Sequence, residues 1–261
     1  VPHQELPRRS GQDRWLIPVG VVGWQLGAPG KLVALTAEQR LLSRRARRHV
    51  GVIAESLLAP GGVIRLRDRF AALRARDQKA LVVYLTAFDP SYERSLQLLF
   101  DAARGGADVL EVGVPWSDPS ADGPVIQRAM LRGLSAGATL ARSLALCAEL
   151  RHSIDTPMVL FGYYNPILAY GPERFARDAA AAGIDGALVV DLPPEEAEEL
   201  DRPLHQEGLC RVPLLAPTTP PERARLLTRS PAAGGFAYYV GLTGVTGAGH
   251  LNIEDVAART A

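Results

Sequence analysis

ADVLEVGVPWSDPSADGP, residues 107–124, decides how the chain is to be read. Its first half is a continuous apolar run of β-forming residues, the composition of a strand covered on both faces. Glu111 nevertheless stands in the middle of that run, and the loop that follows holds two more acids, Asp118 and Asp122, among three prolines. An ionised, unpaired carboxylate inside such a strand is strongly disfavoured, so Glu111 must either find a partner or keep its proton to an unusually high pH.

Runs of the same kind recur on either side: ALVVYLTAF (80–88), PMVLFGYY (157–164), DGALVVDLP (185–193), CRVPLLAP (210–217) and GFAYYVGL (235–242). Helical patterns lie between them in SYERSLQLLFDAARGG (91–106), TLARSLALCAELRH (139–152), GPERFARDAAAAG (171–183), PPEEAEELDRPLHQEG (193–208) and PPERARLLTRS (220–230). Strict strand and helix alternation predicts an α/β fold with a parallel sheet covered on both faces, either a doubly wound open sheet or a (β/α)8 barrel. No Gly-rich dinucleotide fingerprint follows the first strand. Polar residues instead collect where strands end: Thr86 and Asp89, Glu111 through Asp122, Tyr163 to Asn165, Asp191, Thr218 and TGVTGAG (243–249). That distribution is how a barrel assembles a site at its C-terminal face, and the (β/α)8 TIM barrel is the fold expected.

Upstream, VIRLRDRFAALRARD (63–77) repeats Val63, Leu66, Phe70 and Leu73 at helical steps, which marks an amphipathic helix and the start of the domain. Residues 1–62 show no sustained period and read as an irregular, Arg-rich extension with little order, leaving 63–261 as the barrel domain. The charge is uneven. Residues 1–80 hold 15 Lys or Arg against 6 Asp or Glu, and the remainder holds 14 against 22. RRARRH (44–49) is basic enough for nucleic acid, but no aromatic platform or recognisable nucleic-acid fold accompanies it, so no nucleic-acid partner is expected. No window is apolar enough to cross a membrane and no secretory signal is visible, which predicts a cytoplasmic protein.

The inventory narrows the chemistry. Lys31 and Lys79 are the only lysines, one in the extension and one before the first strand, so a Schiff-base amine is not placed. The five histidines and Cys147 and Cys210 lack metal-ligand spacing, and Ser117 has no histidine placed as its base. Carboxylates and tyrosines remain. A Glu111 held near neutrality suits both proton donation and acceptance, while Asp122, between prolines, is expected to be solvated and ionised; such unlike carboxylates form a workable acid/base pair. On pattern alone a buried acid satisfied by a loop amide or hydroxyl is the lesser alternative for Glu111, and Asp118 fits turn chemistry.

LTAFDPSYERSLQLL (85–99), GADVLEVGVPWSDPSADGPVIQRA (106–129), YYNPILAYG (163–171), DGALVVDLPPEEA (185–197) and YYVGLTGVTGA (238–248) together resemble the tryptophan synthase α subunit, over about 64–261. The resemblance implies a barrel lyase that cleaves indole-3-glycerol phosphate by a retro-aldol reaction to indole and glyceraldehyde 3-phosphate. It implies no cofactor in this chain, pyridoxal phosphate belonging to a β subunit with which it would form an α2β2 heterotetramer. By the same resemblance Glu111 donates the proton to indole C3, Asp122 holds the indole nitrogen, and Tyr238 matches an active-site tyrosine. Tyr84 and Phe161 match the walls of the indole pocket, and Thr246 and Gly247 a loop that closes over substrate.

Three features depart from the family pattern. Phe88 stands in TAFDP where the family has a small residue, and is expected to strain the turn or narrow the pocket. Residues 1–62 match nothing in the family and read best as translated upstream sequence. Six strands are counted where a barrel has eight, and the expectation is a truncated chain lacking most of its phosphate site, with little activity on its own. A non-catalytic α-like module that binds the β subunit, and a stand-alone indole-glycerol-phosphate lyase, are the alternatives; another phosphate-binding barrel of histidine or tryptophan biosynthesis is a weaker third.

Overall fold

A computed structural model describes residues 64–216, 218–227 and 236–240, together with the short pairing of Leu16–Ile17 with Ile53–Ala54. The expected irregularity of 1–62 otherwise lies outside the described residues. The amphipathic stretch predicted from residue 63 is helix α1 (Ile64–Ala75), and Leu66, Phe70 and Leu73 are its buried face.

The apolar runs form parallel strands. β1 (Val82–Thr86), β2 (Val109–Gly113), β3 (Met158–Gly162) and β4 (Gly186–Val189) hydrogen-bond in chain order, with Tyr84 beside Glu111 and Glu111 beside Val159. The fifth run, read from sequence as one strand, is two: β5 (Cys210–Arg211) pairs with β4, and β6 (Leu214–Leu215) pairs with β7 (Tyr238–Tyr239). The break is at Pro213, which has no N–H for a ladder. Its carbonyl still accepts from Tyr238 N–H at 2.8 Å, and Val212 N–H reaches the Ala187 carbonyl at 2.8 Å, so the run joins the ladder to the last described strand.

Helices α2 (Tyr92–Arg104), α3 (Pro124–Ser135), α4 (Leu140–Arg151), α5 (Tyr164–Tyr170), α6 (Pro172–Ala181), α7 (Glu198–Gln206) and α8 (Pro221–Leu227) fill the connections. Ser91 and Thr139 cap α2 and α4 by accepting from Arg94 N–H and Arg142 N–H, each at 3.2 Å. α3 and α5 are additional to the predicted helices. α3 opens with Pro124 at its first position, where the missing N–H costs nothing, and buries Ala129, Met130 and Gly133. No helix among the described residues is long and apolar enough to cross a membrane.

Alternation along the strands sorts side chains into two cores. Val83, Leu110, Val112, Leu160 and Ala187 face the helices, with Leu99, Leu146, Phe175 and Leu200 across from them. Val82, Val109, Val159, Leu188 and Val212 face the interior, where Leu66, Phe70 and Leu73 of α1 join them, Phe70 meeting Phe236 at 5.6 Å between ring centroids. α1 is fixed there by charge as well. Arg65 Nε lies 2.7 Å from Asp185 and Arg69 Nη2 lies 2.7 Å from Asp108, acids that directly precede β4 and β2. Asp185 also accepts from Arg151 Nη2 and Met158 N–H, and Asp108 from Leu81 N–H. The helix therefore seals the N-terminal end of the strands.

Phe88 adopts the left-handed region at φ 63°, so the strain expected of a bulky residue at this turn is present. The expected narrowing of the pocket is not. Its ring is fully buried in the layer between sheet and helices, edge-on to Tyr92 at 5.2 Å and beneath the Arg142 guanidinium at 4.7 Å, because the turn after β1 carries the side chain outward.

Two stability tests follow from this packing. Phe88→Gly relieves about 1–2 kcal/mol of left-handed strain but forfeits roughly 3–5 kcal/mol of buried phenyl, so denaturant unfolding should show a net loss; a gain would mean that strain dominates. The buried pair of Arg211 with Asp201, at 2.5 and 2.9 Å, is expected to cost about 3–5 kcal/mol when broken by Asp201→Ala. Glu195→Ala, which breaks the exposed pair with Arg223, should cost under about 1 kcal/mol in the same assay.

Candidate active site

Glu111 shares the parity of Val109 on β2, so its side chain enters the interior rather than the helix layer. It is 1% exposed, and neither carboxylate oxygen has a hydrogen-bond partner among the described residues. Burial alone pushes its carboxyl up to about 8. The satisfied-acid alternative left open by the sequence is thereby removed for the described part of the chain.

The neighbouring strands build walls around it. Tyr84 stands beside Glu111 in the register, and its ring runs over Gly113; a Cβ at Gly113 would collide with the phenol, so a side chain there would displace the Tyr84 ring. Phe161 of β3 meets Tyr84 edge-on at 5.2 Å and 77°. Thr86 Oγ1 donates to the Tyr84 hydroxyl at 3.3 Å. Burial raises the Tyr84 phenol far above its ordinary value, the Thr86 bond opposes this, and the charges of Asp122 and Glu111 add to the rise. Tyr238 on β7 is raised for the same leading reason, then by Glu111 and Asp122. Glu111, Asp122, Tyr84 and Tyr238 thus share one poorly solvated space, and at neutral pH both phenols are neutral donors.

Asp122 corrects an expectation. It is 6% exposed rather than solvated, because the Pro119–Gly123 loop folds back over the strand ends. Its N–H donates to the Pro119 carbonyl at 3.1 Å, and Gln127 Nε2 of α3 donates to the Asp122 backbone carbonyl at 2.8 Å. Burial raises its carboxyl, and a hydrogen bond from Tyr163 opposes the rise. That bond, from Tyr163 Oη to Asp122 Oδ2, is 2.7 Å long. The sequence placed Tyr163 among the polar strand-end residues without giving it a task; its hydroxyl one residue beyond β3 was the available signal. Asp118 is exposed and accepts from the Ser117 hydroxyl at 2.6 Å, and its backbone carbonyl accepts from Ser120 N–H at 2.9 Å within the turn. Thr246 and Gly247 lie outside the described residues, where nothing tests their expected part in loop closure. Among the described residues no cluster of His, Cys, Asp or Glu is arranged to hold a metal ion.

This arrangement sets aromatic rings beside one acid poised to exchange a proton and a second carboxylate able to accept from a ring N–H and to stabilise positive charge. A family model described as tryptophan synthase alpha chain matches residues 70–259. Among curated proteins, the tryptophan synthase alpha chain of Gluconacetobacter diazotrophicus is 55% identical over 194 residues, covering 74% of this chain and 70% of the relative. That of Geobacter sp. is 50% identical over 195 residues, covering 75% and 72%. Among solved structures, the tryptophan synthase alpha chain of Legionella pneumophila superposes with a TM-score of 0.67 at 39% identity, over 75% of this chain and 70% of the other. A Mycobacterium tuberculosis tryptophan synthase chain gives 0.68 at 36% identity, over 75% of both chains.

Glu111 makes stability depend on pH with a definite sign. Unfolded, it releases its proton near 4.5; folded, it holds it to about 8. Between those values the native state binds a proton that the unfolded state does not, so stability falls as pH rises through the window. Glu111→Gln carries no such charge. Its Tm advantage over the parent protein is expected to grow from pH 5 to 8 and then level off. A pH-independent difference would show that Glu111 titrates normally.

Proposed function

The chain belongs to the tryptophan synthase alpha chain family, and from that premise we propose that Glu111 and Asp122 divide between them the retro-aldol cleavage of indole-3-glycerol phosphate to indole and glyceraldehyde 3-phosphate. The observation that carries this division of labour is the buried carboxyl of Glu111, which has no hydrogen-bond partner among the described residues. Protonated at neutral pH, it can deliver its proton to indole C3. The ring then carries positive charge towards its nitrogen, where the Asp122 carboxylate accepts the N–H and stabilises the cation. The bond between C3 and the glycerol carbon breaks, its electron pair returning to the ring. The hydroxyl proton released as the aldehyde forms goes to the Glu111 carboxylate, which ends the cycle protonated as it began. A side chain with proton affinity near neutrality suits both transfers. The edge-on Tyr84 and Phe161 rings offer flat apolar walls to the indole, and Tyr238 a neutral phenol.

The finer assignments follow from the same reading. The chain works without a cofactor of its own, delivers indole to a pyridoxal-dependent β subunit in an α2β2 assembly, and does so in the cytoplasm. Membership of the tryptophan synthase alpha chain family supports the pairing with a β subunit.

Indole release from indole-3-glycerol phosphate by the 261-residue chain, with and without a β subunit, tests the reading. Glu111→Gln should lower turnover at least 100-fold, the smaller end of what a general acid contributes, and Asp122→Asn should lower kcat more than it raises KM. Turnover equal to the parent's in Glu111→Gln would refute the assignment. A folded chain that binds the β subunit yet shows no turnover under either condition would favour the non-catalytic module.

A further inference from the structure

Asp122 belongs to a loop, and an oxygen that receives a ring N–H must be held to within a fraction of an ångström. Oδ2 is the oxygen that is held. It accepts from Tyr163 Oη at 2.7 Å, and the same hydroxyl accepts from Ala121 N–H at 3.0 Å, one residue before Asp122. Tyr163 is 3% exposed, follows β3 directly and precedes α5, so its ring is set by regular structure rather than by the loop. No group among the described residues hydrogen-bonds Asp122 Oδ1. We propose that Tyr163 is a positioning residue for Asp122: one phenol clamps both the backbone and one carboxylate oxygen of the loop, so that Oδ1 alone is presented to the N–H of the bound aromatic ring.

The inference rests on the role assigned above to Asp122, and it adds which oxygen acts and what fixes it. The arrangement is directional. The Ala121 N–H occupies an acceptor site on the Tyr163 oxygen, which leaves the phenol proton to point at Oδ2. A Phe at this position would keep the ring and lose both bonds at once, freeing the carboxylate to rotate. The titratable groups that act on Tyr163 are Asp122 in the loop after β2 and Asp191 after β4, with Tyr84 of β1 coupled to it from across the pocket.

The test uses the whole chain labelled with 13C at tyrosine Cζ and aspartate Cγ. In the parent protein the Tyr163 Cζ resonance should move with the Asp122 Cγ titration, a readout that needs no variant; an inert Tyr163 resonance overturns the proposal. In Tyr163→Phe the Asp122 midpoint should rise, since a bond to its charged form is gone, and indole should bind about tenfold more weakly, because the carboxylate is free to rotate away from the ring N–H. An unmoved midpoint with unchanged indole affinity also overturns it. Asp122→Asn separates the two readings. If it binds indole as tightly as the parent, the assignment of Asp122 as the ring's partner fails, whereas a weakened Asp122→Asn beside an unaffected Tyr163→Phe rejects only the positioning role.

Discussion

Both oxygens of the Glu111 carboxyl are buried without a hydrogen-bond partner among the described residues, and a charged group cannot rest there cheaply. The group answers by holding its proton, and much of the surrounding structure maintains the dryness that makes it do so. β2 carries it inward at the level of Tyr84 and Val159, Gly113 is stripped of a side chain so that the Tyr84 ring can cover the strand, and Phe161 closes the side. A carboxyl that would be a liability in an ordinary core becomes an acid active near neutrality. The second carboxylate, Asp122, is buried less uniformly and is bonded, which keeps the two groups chemically distinct.

The opposite end of the strands shows a different use of charge. Arg65 and Arg69 of α1 reach Asp185 and Asp108, so the basic first third of the chain and the acidic remainder meet in two ion pairs around a helix that plugs the interior. Each acid also accepts a backbone N–H from a neighbouring strand's start, which ties the seal to the sheet itself. Stability is thus concentrated at the N-terminal end and chemistry at the C-terminal end, the division that barrels of this kind display.

The strands were legible because parallel, doubly covered strands leave uninterrupted apolar runs, and Glu111 was legible because it interrupts one. Pro213 was visible in the sequence, but its effect was not: a missing N–H splits the run while its carbonyl keeps the ladder going. Asp122 was misjudged because flanking prolines indicate a turn without saying whether that turn lies open or folds back over the strands. Phe88 showed its strain but not its direction, since a turn's φ decides which layer receives the side chain. Tyr163 is the clearest omission. Its bond to Asp122 joins residues 41 apart in sequence, a juxtaposition that local patterns do not encode.

The proposed chemistry turns on the proton that Glu111 keeps. Titration of its side-chain carboxyl by 13C NMR, with the resonance assigned by its loss in Glu111→Gln, measures that directly. A midpoint near 8 is the result predicted. A midpoint near the ordinary 4.5 would contradict the role of Glu111 as the acid, because a Glu111 ionised at neutral pH has no proton to give to the indole ring.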